Sequence, residues 1–115
     1  MPLVDVFFDP RVDVDQLRRI ADVLRDVVPR AVECPEEPIV GPLAVGDLEI
    51  RFTPRGSADV SELAVLVEVR TKCFQSRLDT AQARADLVRV ELSRVATGPV
   101  GVWLMLLDGA WSQSD

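Results

Sequence analysis

The chain contains no histidine and no tyrosine, and Lys72 is its single lysine. Without histidine, a histidine-based triad is excluded and zinc sites lose their commonest nitrogen ligand. The two cysteines, Cys34 and Cys73, do not form a metal spacing and read as reduced structural thiols. No metal and no other cofactor is implied. The available acids and bases narrow to carboxylates, cysteine, Lys72 and any free amine. A cysteine nucleophile is poorly supported, because Lys72 adjoins only Cys73.

Long apolar runs are also missing. The longest, VGVWLMLL (100–107), has the length of a buried strand and falls well short of the roughly 20 residues of a membrane span. The start lacks the basic n-region and apolar segment of a secretory signal, so the expectation is a cytoplasmic protein without a membrane partner. Positive charge is in deficit: the formal net charge is −6. That balance argues against nucleic acid, which is bound through a basic face. What cationic charge there is comes almost wholly from arginine, the residue suited to gripping carboxylates in bidentate fashion.

What remains is sufficient for one core. With 115 residues, 48% of them hydrophobic and 28% charged, the chain fits a single domain spanning 1–115. LVDVFF (3–8) is β-branched and aromatic and reads as a strand. Leu17, Ile20, Leu24 and Val27 or Val28 then recur at helical spacing, with Asp13 and Gln16 placed as a capping box and Pro29 as the stop. A proline-rich connection over 30–46 follows, of the length usually associated with function or mobility. LEIRFT (48–53) and ELAVLVEVRT (62–71) alternate as strands. A second helix is predicted over about 78–96, with Gly98 and Pro99 as its stop, and VGVWLMLL is the last strand.

The order is β-α-β twice, and the halves share a signature. RVDVDQLR (11–18) lies over RLDTAQAR (77–84) with Arg, Asp, Gln and Arg at identical spacing. Two related units of about 1–57 and 58–115 are therefore expected. The string predicts an α+β fold, a four-stranded mixed sheet with two helices on one face. A tautomerase-like fold and a ferredoxin-like sandwich both satisfy it.

MPLVDVFFDPRVDVDQLRRIADVL resembles the start of the tautomerase superfamily: Met-Pro, a short apolar strand, an arginine just after it, then a helix with an acidic cap and Gln. VEVRTKCFQSRLDTAQARADLVRVEL is similar to the second β-α unit of longer members such as 5-carboxymethyl-2-hydroxymuconate isomerase. LLDGAW is similar to the final strand and its following aromatic. The resemblance implies a tautomerase or isomerase in which Pro2, freed by removal of Met1, is the general base. It implies a small carboxylated keto-enol or unsaturated acid as substrate and a homotrimer as the working form. Arg11 matches the post-strand arginine, and Arg51, Arg70 and Trp111 are further candidates for substrate binding. An apolar pocket beside cations would lower the pKa of a secondary amine toward the working range. Glu49 and Glu68 are candidate acids, although polar strand positions of this kind commonly pair with neighbouring arginines. The alternative is a catalytically silent module, tautomerase-shaped or ferredoxin-like, that binds or assembles.

Overall fold

The computed structural model describes residues 2–37, 48–110, 112 and 114. Four strands, β1 (Leu3–Phe8), β2 (Glu49–Pro54), β3 (Val65–Lys72) and β4 (Val100–Leu107), form one sheet in the order β2-β1-β3-β4. β1 runs parallel to β2 and antiparallel to β3, and β3 runs parallel to β4. Helix α1 (Val14–Val32) connects the first parallel pair; α2 (Gln75–Asp79) and α3 (Ala81–Ser93) connect the second.

Alternation sorts the strands into two faces. One face carries rows in register: Ile50–Val4–Val69–Leu104 and Phe52–Val6–Val67–Val102. Ile20, Leu24, Val27 and Val28 from α1 and Val88 and Leu92 from α3 close over these rows, all buried. Each such side chain contributes roughly 1.5–3 kcal/mol when fully removed from water. The opposite face carries Leu3, Asp5 and Phe7 on β1, Glu49, Arg51 and Thr53 on β2, Leu66, Glu68 and Arg70 on β3, and Trp103 and Met105 on β4. No helix of the described residues covers it.

Three readings need correction. Pro29 does not stop α1, which continues to Val32. Ala31 and Val32 are buried, and their packing carries the helix one turn past the proline. The second helix is also broken: α2 ends at Asp79, Thr80 leaves helical geometry (φ −125°, ψ 25°), and α3 begins afresh. The capping box at 13–16 forms by half. The Asp13 carboxylate accepts from the Gln16 backbone N–H at 2.8 Å. The Gln16 side chain instead crosses to the loop before β4, donating to Thr97 Oγ1 (3.0 Å) and accepting from its N–H (3.3 Å).

Candidate functional site

Pro2 lies just ahead of β1, and its carbonyl accepts from the Glu49 N–H at 3.3 Å. The next residue, Leu3, pairs in register with Arg70 of β3. Leu3, Arg70, Thr71, Lys72, Glu37, Leu107, Gly109 and Ala110 enclose a cleft of about 490 Å³. Arg70 and Lys72 are two residues apart on one strand, so both project to the same side. The cleft thus brings two cations, a carboxylate and an apolar wall to the end of the sheet that holds Leu3.

The arginines there are already engaged. Asp5 sits between them on the helix-free face, with its side chain only 12% exposed. Arg70 Nη1 donates to Asp5 Oδ2 at 2.5 Å and its Nη2 to Glu68 Oε1 at 2.8 Å. Arg51 Nε lies 3.1 Å from Asp5 Oδ1 and 3.8 Å from Glu49 Oε2. Glu49 and Glu68 therefore serve as ion-pair partners here. Lys72 extends from the strand end with Nζ 5.3 Å from the Phe74 ring centroid, a cation–π contact.

Arg11 is at the other end of β1. The six-residue strand alone, about 17 Å long, separates it from Pro2, too far for the two to share a small ligand within one chain. It is 90% exposed and forks onto Asp9, with Nη2–Oδ2 at 2.6 Å. Arg11, through its side-chain hydrogen bond first and its backbone N–H second, lowers the Asp9 carboxyl to about 2; the same bond raises the guanidinium. Trp111 lies outside the described residues, as does most of the connection over 30–46.

Sequence reasoning missed Asp5, Glu37 and Lys72. The i, i+2 spacing of Arg70 and Lys72 was available as a signal. Asp5 was visible as a carboxylate inside an apolar strand. Glu37 carries no signal beyond its place in a long connection, because tertiary packing alone sets it beside the strand ends.

The same fold recurs among solved structures. A malonate semialdehyde decarboxylase superposes with a TM-score of 0.68 at 16% identity, over 98% of this chain and 91% of its own. A fused 4-OT symmetric trimer gives 0.67 at 15% identity, over 91% of this chain and 85% of its own. Both are tautomerase superfamily proteins. This chain has the tautomerase fold. The macrophage migration inhibitory factor of Toxoplasma gondii also matches, with a TM-score of 0.65 at 12% identity, over 98% of this chain and 96% of its own. No family model matches the sequence, and no curated protein matches it. Within the tautomerase fold the ferredoxin-like alternative is set aside by topology. A split β-α-β unit inserts a strand between its parallel pair, whereas β1 and β2 here are direct neighbours.

Proposed function

We propose that the protein is a tautomerase-type isomerase that moves a proton in a small carboxylated keto-enol or unsaturated acid, with the Pro2 amine as general base. The observation that carries this reading is the cleft beside Leu3, where Arg70 and Lys72 face an apolar wall of Leu3, Leu107 and Ala110. Nearby cations and apolar surroundings both disfavour a protonated amine, which makes it a better base at neutral pH. The same cations hold a carboxylate and stabilise negative charge developing on an enolate oxygen. Arg51 extends this cationic edge, and Trp111 adds an aromatic to the chain segment that follows the cleft residues.

The reading includes a homotrimer, in keeping with the trimeric 4-OT fusions of the same fold. In such an assembly a neighbouring subunit supplies Arg11 to a Pro2 that its own chain's Arg11 does not reach. Glu37 supports a second reading on the same site. A carboxylate in the same cleft as two cations can orient a water, so hydration of an unsaturated acid is open to this site. The malonate semialdehyde decarboxylase of this fold is described with decarboxylase and hydratase activities and with a variant of its first-residue proline.

The test is ketonisation of phenylenolpyruvate or 2-hydroxymuconate, with the product mass followed for addition of water. Intact mass should show Met1 removed, since an acylated Pro2 nitrogen is not a base. Pro2→Ala should lower kcat/KM by about a hundredfold or more, the usual contribution of a positioned base. Unchanged activity in Pro2→Ala would sink the proline mechanism. Retained methionine would favour the binding or assembly module instead.

A further inference from the structure

Arg77 is 1% exposed, the largest fully buried side chain among the described residues. Burying a guanidinium is expensive unless its donors are matched, and here all three nitrogens find acceptors. Nε donates to the Val32 carbonyl at 2.7 Å, Nη1 to the Lys72 carbonyl at 2.8 Å, and Nη2 to Glu37 Oε1 at 3.4 Å. Its Cζ stands 5.3 Å from the Phe74 ring centroid, the same ring that Lys72 Nζ contacts. Two of the three acceptors, and the shared ring, belong to or touch residues that line the cleft.

Arg84 provides the internal comparison. It donates to the Ala31 and Glu33 carbonyls at 2.9 and 2.6 Å, so it too satisfies carbonyls at the C-terminal end of α1. Its other contacts are the Thr80 hydroxyl and the Ser76 carbonyl. None of these residues lines the cleft. Both arginines fasten α2 and α3 to the end of α1, but only Arg77 reaches the groups that face a ligand.

We infer that Arg77 is a positioning residue: its fork locks the Glu37 carboxylate and the Lys72 backbone together and so sets the spacing of carboxylate and ammonium across the cleft. The inference rests on the proposed reading of the cleft. It differs from a helix-end clasp in predicting that loss of Arg77 changes ligand handling, not only stability. A flat fork is required, because a single ammonium cannot meet three acceptors in one plane.

Because Lys72 is the only lysine, lysine labelled with 13C at the ε position gives one signal, displaced by the Phe74 ring. In Arg77→Gln that signal should move toward the position of a solvated lysine. In Arg84→Gln it should stay where it is in the unaltered protein, although both variants lose thermal stability. Arg77→Lys, assayed with phenylenolpyruvate below its melting temperature, should raise KM about tenfold, the loss of one charge-assisted interaction. Arg84→Lys should leave KM unchanged. A Lys72 signal unmoved by Arg77→Gln, or moved equally by Arg84→Gln, overturns the inference. Should the Arg77 variants not fold, the unaltered protein decides the matter: cross-relaxation from the Phe74 ring must reach both the Lys72 ε-methylene and the Arg77 δ-methylene, and its absence overturns the arrangement. The Lys72 signal needs no catalysis, so a protein that ketonises neither substrate would defeat the isomerase reading while leaving the role of Arg77 measurable.

Discussion

Asp5 shows how far a single side chain can organise a face. It stands in an apolar strand, yet it is the shared partner of Arg51 and Arg70 from the strands on either side. Removing it leaves two guanidinium groups facing each other on a partly desolvated surface. Asp5→Ala should therefore cost about 1–3 kcal/mol, read from the urea midpoint; an unchanged midpoint would mean water replaces the carboxylate at no cost. Asp9 behaves differently because it is more open. Its folded carboxyl is lowered from 3.8 to about 2 by Arg11, so folding favours the ionised form. That contribution is complete above about pH 4 and is lost as pH falls toward 2. The stability difference between the unaltered protein and Arg11→Met should be full at pH 5 and reduced to a small remainder by pH 2. A difference undiminished at pH 2 would assign the role of Arg11 to packing.

At the level of elements, most of what the strands do was legible before any coordinates. The alternation of Val65, Val67 and Val69 against Leu66, Glu68 and Arg70 states which face is buried. The spacing of Ile20, Leu24 and Val27 does the same for α1. What was not legible depends on groups brought from elsewhere. Gln16 has a local partner by motif and takes Thr97, 81 residues away, instead. The repeated arginines diverge in the same way: Arg11 is open to solvent, and Arg77, its counterpart in the signature, is buried. Spacing cannot distinguish them, because burial is set by the helix end that packs above. Pro29 is the clearest case. Its ring leaves the Arg25 carbonyl without the usual i+4 donor, and α1 continues because Ala31 and Val32 are buried beyond it. Pro29→Ala should restore that donor and raise stability by about 1 kcal/mol in thermal or urea unfolding. A loss of stability would show that the stiffness proline gives the unfolded chain outweighs the missing bond.

At the scale of the whole molecule, the described residues finish the sheet on one side only. α1 and α3 cover one face, while Trp103 (64% exposed) and Leu107 (46% exposed) stand on the other with Phe7, Leu66 and Met105 half-buried beside them. Apolar residues gathered in register on an uncovered sheet face are costly in water and mark a surface that pairs with protein. Among the described residues β4 is an edge strand, bonded to β3 alone, and such an edge can take a further strand. On the proposed trimer this face turns inward, and Trp103 is the side chain to alter. Arginine at 103 would lie across from Glu68 in register, so an ion pair keeps the single chain folded while charge enters the interface. Sedimentation of the unaltered protein should give three times the 12.7 kDa chain mass, and Trp103→Arg should shift it toward one chain at micromolar concentration. Because the reading draws Arg11 from a neighbouring subunit, activity should fall with the trimer population as protein is diluted. A Trp103→Arg protein that remains trimeric would move the interface from this face to the strand edges.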